Sequence, residues 1–161
     1  MSERLHWDSA RIAQFELGYS FTVRQIERRE DKQRFLMNYV HLNQVDEHEC
    51  NLLQKEIELL SSLHHPNIIQ LHDIYLWQSR KHGVSIACTL SFLHGVNIAE
   101  RLKHHTVTEV ECKQTLQQIL SALVYLHGRG IVHRRLHPAT IWYKHKTRFD
   151  RVVLTDFSVA E

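Results

Sequence analysis

The residues that could do chemistry lie in two short segments late in the chain. His133-Arg134-Arg135 opens one and Thr140 closes it; Asp156 sits in the other, within Leu154-Thr155-Asp156-Phe157-Ser158. Asp156 could hold a divalent cation or accept a proton. Arg135 can do neither, because a guanidinium stays protonated and carries donors only. Glu56 is a further carboxylate, which read alone is an ordinary helix-surface residue. Fourteen histidines raise the question of a metal site. They are scattered, and the doublets His64-His65 and His104-His105 place neighbours on different faces. His133 and His137 have i,i+4 spacing but fall in strand and loop, with no carboxylate or cysteine at ligand spacing, so the pattern does not support structural zinc. Cys50, Cys88 and Cys112 are far apart, odd in number and form no CxxC pair, as expected of reduced thiols in an intracellular, cytoplasmic protein.

The elements that must position these residues follow from the patterning. The chain has 161 residues, 43% hydrophobic and 24% charged, with a net charge of +2. That suits one globular domain with a real core. Near-neutral charge argues against nucleic-acid or polybasic membrane binding. The apolar runs are too short to span a bilayer. The N-terminus has no signal-peptide core, and Ser2 is not the glycine that myristoylation needs. Residues 15–24 and 33–41 alternate like strands, with a charged turn at 27–32. Residues 46–63 have helical spacing through Cys50, Leu53, Ile57, Leu60 and Leu63, stopped by Pro66. Residues 68–73 and 85–92 read as strands around a polar loop at 78–83. Residues 108–127 are the clearest helix: Thr108 and Glu111 form a capping box, Leu116, Ile119, Leu120, Leu123 and Leu126 a broad apolar stripe, and Gly128 and Gly130 the stop. Short strands follow at 131–132, 141–143 and 152–155. This is an α+β pattern.

In that order and on those elements, several segments resemble the protein kinase family. Gln54-Lys55-Glu56-Ile57-Glu58-Leu59-Leu60, leading to Leu63-His64-His65-Pro66-Asn67-Ile68-Ile69, is similar to the family's C-helix and following strand. Tyr125-Leu126-His127 and the run from Ile131 to Ile141 resemble its catalytic loop, usually HRDLKPENI. Leu154 to Ser158 resembles the DFG segment. The resemblance runs from about Phe15 to Glu161. It implies a small lobe over 15–93 with an N-terminal extension over 1–14, and part of a helical large lobe over 94–161. The hairpin at 143–151 and Phe92-Leu93-His94-Gly95 look most like the calmodulin-dependent and giant-muscle-protein kinases. The pseudokinase module of a translation-initiation-factor kinase is a second candidate.

The departures from that family carry the functional expectation. Active members use a strand lysine on the phosphates and a loop aspartate to accept the substrate's proton. By the resemblance Asn38 stands at the lysine position and Arg135 at the aspartate position, so Glu56 loses its cationic partner. Loss of a general base typically costs about 10²–10⁴-fold. Thr140 matches the asparagine that holds a second metal ion and is a poorer ligand; Asp156 survives as one candidate metal ligand, although without its partners it reads rather as a satisfied turn residue. Ser158 replaces a glycine and restricts the backbone. The phosphate loop keeps only Gly18 of three glycines. Leu36 stands where a small alanine covers the adenine and Trp142 where a leucine lies beneath it, so the pocket, which includes Leu90, is expected to be at least partly filled. Leu60, Leu71, His133 and Phe157 match the family's stacked apolar column. No cofactor is expected, with room at most for weak Mg·ATP binding.

The chain stops just after the DFG-like segment, before the family's remaining helices, which points to truncation and leaves the 108–127 helix in want of a partner. The expected function is a pseudokinase module that binds a protein, an active kinase or the rest of a longer parent chain. The alternatives are an atypical active Ser/Thr kinase, with Arg24 reaching phosphates and Asp156 holding magnesium, and a non-functional truncated product.

Overall fold

The computed structural model describes residues 7–8, 22–81, 83–145 and 151–161. The chain forms two compact units, Met1–Asn51 with Leu71–Phe92, and Leu52–Gln70 with Leu93–Glu161.

The first unit is built on a five-stranded antiparallel sheet. Its strands are β1 (Trp7–Asp8), β2 (Thr22–Arg28), β3 (Arg34–His41), β4 (Leu71–Ser79) and β5 (Gly83–Ser91), in the order β1-β2-β3-β5-β4. The charged turn between β2 and β3 is shorter than the sequence suggests, and Glu27 and Arg28 belong to the strand. Both gain partners there: Glu27 pairs with Arg34 in register, and the Arg28 guanidinium lies over the Phe35 ring. The reversal is closed by Arg28, which donates to both oxygens of Asp31 at 3.0 and 2.6 Å, and by a left-handed Lys32. Strand β4 starts later and runs further than residues 68–73. Ile68 makes only an isolated bridge to Leu154, in the second unit. Pairing of Gln78 with Val84 and Ser79 with Gly83 absorbs half of the expected loop. The buried side chains include Val23, Ile26, Phe35, Val40, Leu71, Ala87 and Cys88. Buried hydroxyls among them are satisfied: Ser85 Oγ lies 2.7 Å from His41 Nδ1, and Thr89 Oγ1 accepts from the Asp73 amide at 3.1 Å.

Helix α1 (Glu47–Ser62) begins in the first unit and continues in the second. The Asp46 carboxylate accepts from the Glu49 amide at 2.8 Å, and Glu49 accepts from the Asp46 amide at 3.1 Å, a reciprocal cap. Leu53, Ile57 and Leu60 are its buried face.

The second unit contains α2 (Ile98–His104), α3 (Glu109–His127) and a hairpin of β6 (Ile141–Tyr143) and β7 (Val152–Leu154). The sequence reading did not anticipate α2, although Asn97 caps it by accepting from the Glu100 amide at 2.7 Å. The capping box of α3 is present as expected, with both the Thr108 and Glu111 side chains engaged. Its buried face is narrower than the expected stripe. Thr115, Ile119, Ala122 and Leu126 are covered, whereas Leu116 is 56% and Leu120 57% exposed. Those two continue to Val124, 73% exposed, along an i,i+4,i+8 line on another side of the helix. Residues 131–132 form a loop rather than a strand; the Val132 amide donates to Glu161 at 2.7 Å and the Glu161 amide donates back at 3.1 Å. No helix among the described residues is long and apolar enough to cross a membrane.

Candidate functional site

Asn67 is the hub that holds the chemistry-bearing segments of the second unit in place. It is buried, and its side-chain amide donates to Val152 O at 2.7 Å and to Gln118 Oε1 at 2.8 Å. Its carbonyl accepts from the Leu154 amide at 2.8 Å, and Gln118 Oε1 also accepts from the Val152 amide at 3.0 Å. This fixes β7 against α3, and the turn carrying Asp156 follows directly from β7.

The loop carrying His133 to Thr140 is held against that turn. His133 is buried, and its Nε2–H donates to the Thr155 carbonyl at 3.0 Å while Nδ1 accepts from the Arg135 amide at 3.2 Å. That pattern needs the neutral ring. Burial lowers the His133 pKa, consistent with it. The His133 and Phe157 rings meet edge-on with centroids 4.7 Å apart. Within this unit, Leu60, His133 and Phe157 of the expected apolar column are all buried. Leu71, its fourth member, is buried in the first unit.

Arg135, Asp156 and Ser158 form one closed cluster. Arg135 Nη1 lies 3.1 Å from Asp156 Oδ2 and 3.4 Å from Ser158 Oγ. The Ser158 hydroxyl donates to Asp156 Oδ1 at 2.7 Å. Both oxygens of Asp156 therefore accept from the chain itself, and only 9% of its side chain is exposed. Arg134 and Asp156 have φ values of 61° and 62°. Non-glycine residues rarely adopt this region, which costs about 1–2 kcal/mol each. Restricted backbone was expected at Ser158; the left-handed residue is Asp156.

Thr140, the expected poorer metal ligand, is buried and turned into its own loop. Its hydroxyl lies 2.8 Å from Arg135 O and 3.0 Å from His137 O, and accepts from the His137 amide at 3.2 Å. Glu56 is not the surface carboxylate that its sequence position alone suggested. Burial first, and then the negative charge of Asp156, push its carboxyl up to about 7, against a stabilising hydrogen bond from the Phe157 backbone.

The remaining candidates divide by unit. Leu36 and Asn38 on β3 and Leu90 on β5 are half-buried in the first unit, where Leu36 pairs with Leu90 and Asn38 with Cys88. Trp142 is half-buried on β6, pairing with Val153 and bridging to Asn97. Gly18 lies outside the described residues. Among the described residues no cluster of three or more His, Cys, Asp or Glu could hold a metal ion. Sequence reasoning missed Asn67 as the hub. It also missed Arg101, a buried guanidinium paired with Glu111 and lying over the Tyr143 ring.

The chain is 27% identical over 121 residues to serine/threonine-protein kinase cds1 of Schizosaccharomyces pombe, covering 74% of this chain and 25% of that protein. It is 27% identical over 157 residues to calcium-dependent protein kinase 5 of Plasmodium falciparum, covering 95% and 26%. It is 28% identical over 140 residues to calcium/calmodulin-dependent protein kinase type 1 of Macrobrachium nipponense, covering 86% and 39%. The chain thus spans between a quarter and two-fifths of the length of these relatives. The sequence pattern of the protein kinase domain matches residues 17–161, nearly the whole chain, and the chain belongs to that family.

Proposed function

We propose that this chain is a catalytically impaired kinase-like domain, a pseudokinase, that works as a protein-interaction or regulatory module and needs no nucleotide cofactor. One observation carries the reading. At the loop position where the family's aspartate would accept a proton, Arg135 presents a guanidinium, bonded to Asp156. A permanently charged donor has no lone pair to offer a substrate hydroxyl. Asn38 at the strand-lysine position and Thr140 at the asparagine position extend the same loss.

The partner is a protein, either an active kinase or the rest of a longer parent chain. The exposed apolar line Leu116–Leu120–Val124 on α3 supports this, since contiguous apolar surface favours association. Cys50, Cys88 and Cys112 form no disulfide with one another, which supports action in a reducing, intracellular compartment. Thermal unfolding with increasing Mg·ATP is the test, because a ligand that binds only the folded state raises the midpoint with its concentration. The midpoint should stay flat. A saturable rise that Asp156→Asn removes contradicts the reading.

A further inference from the structure

We propose that Arg135 is an internal replacement for the divalent cation that this family's chemistry implies, so that the Asp156 position is closed to Mg²⁺ and Mn²⁺ and opens when the guanidinium is removed. The inference rests on the reading of the site as impaired, and it adds how the metal position is disabled.

The residues present do not fit a divalent ion. Mg²⁺ demands near-octahedral oxygen ligands at about 2.0–2.1 Å and gives up its waters reluctantly. Asp156 offers two oxygens, and each is taken from within the chain. Oδ2 faces Arg135 Nη1 at 3.1 Å, and Oδ1 accepts from the Ser158 hydroxyl at 2.7 Å. The same Nη1 reaches Ser158 Oγ at 3.4 Å, so the three side chains close into one hydrogen-bonded ring. A metal at Oδ2 would have to displace a guanidinium or sit beside one, against its charge. The second position fares no better, because Thr140 Oγ1 is buried against Arg135 O and His137 O.

The geometry also says what removal of the guanidinium should do. Asp156 would then lose its only described cation, with the Glu56 carboxyl close enough to feel its charge. A largely buried carboxylate stripped of its counter-charge suits a hard cation.

Titration of the full chain with Mn²⁺ alone, followed by the loss of the free-ion electron paramagnetic resonance signal, tests this. The wild type should show no saturable site. Arg135→Ala should gain one site, binding at least about tenfold tighter than any residual wild-type binding, a difference of ~1.4 kcal/mol. Adding Asp156→Asn to that variant should abolish it. Arg135→Lys, which keeps a cation, should stay closed, and Arg135→Gln gives a second uncharged variant if the alanine form folds poorly. Saturable Mn²⁺ binding by the wild type that Asp156→Asn removes overturns the proposal. So does failure of both uncharged variants, shown to be folded by circular dichroism, to gain a site. A saturable Mg·ATP shift is read separately; it overturns the proposed function, whereas Mn²⁺ binding without one overturns only the replacement by Arg135.

Discussion

Glu56 shows how a single side chain changes meaning with its surroundings. Its carboxyl is half-buried, feels the negative charge of Asp156, and is pushed up to about 7 from its ordinary 4.5. Between those values the folded state binds more protons than the unfolded chain, so stability falls as pH rises through that window. The span corresponds to about 3 kcal/mol. Glu56→Gln, neutral at every pH, should therefore match the wild type near pH 5 and exceed it by about 2–3 kcal/mol near pH 8 in urea unfolding. His133, held neutral by burial, acts in the opposite direction at acid pH, but it is common to both proteins and cancels in the comparison. Equal stabilities at both pH values would place Glu56 in solvent. Sequence alone could not decide this, because α1 has a charged face and a buried face and Glu56 lies next to the buried Ile57. By contrast Arg135 was legible as a non-base from its chemistry. What the sequence could not supply was its partner, since Asp156 lies in a different segment and meets it only through the turn after β7.

At the scale of elements, local signals were legible and long-range pairing was not. The α3 cap rests on Thr108 and Glu111, three residues apart, and it forms as read. The bounds of β2 and β4 depend on partners across the sheet. Glu27 is strand because Arg34 faces it, and Ser79 is strand because Gly83 faces it. Helix α2 spans only seven residues, too few for a periodicity to stand out, and its buried Arg101 breaks the rule that charge faces water. Asn67 belongs to this scale as well, because one side chain joins α3 to β7. Asn67→Ala takes a donor from the Val152 carbonyl and one of the donors from Gln118 Oε1, which keeps the Val152 amide, and a buried polar group left without its donor costs about 1–3 kcal/mol. A loss of about 2 kcal/mol or more in unfolding free energy is expected, measured by chemical denaturation. A loss below about 0.5 kcal/mol, the range of surface substitutions, would mean that β7 is held otherwise.

At the scale of the molecule, the expected stripe on α3 proves to be two sets of residues. Ile119, Ala122 and Leu126 belong to the interior of the second unit, and Leu116, Leu120 and Val124 do not. A sequence window cannot separate them, because both sets are apolar at helical spacing. Leu116→Lys with Leu120→Lys should accordingly lower self-association in sedimentation velocity and leave the thermal midpoint nearly unchanged, since exposed positions contribute little to folding. A fall in midpoint of the size of a core truncation would show that the line is covered within the chain. The proposed absence of phosphate transfer is likewise a property of the whole domain, since the proposal rests on Asn38, Arg135 and Thr140 together.

The most direct measurement of that absence is single-turnover transfer from γ-labelled Mg·ATP to a generic protein acceptor and to the chain itself. The wild type and Asp156→Asn should be indistinguishable, both at the level of a no-protein control. Transfer by the wild type that disappears in Asp156→Asn would contradict the proposed loss of catalysis, because it would mean that Asp156 still serves chemistry with Arg135 beside it.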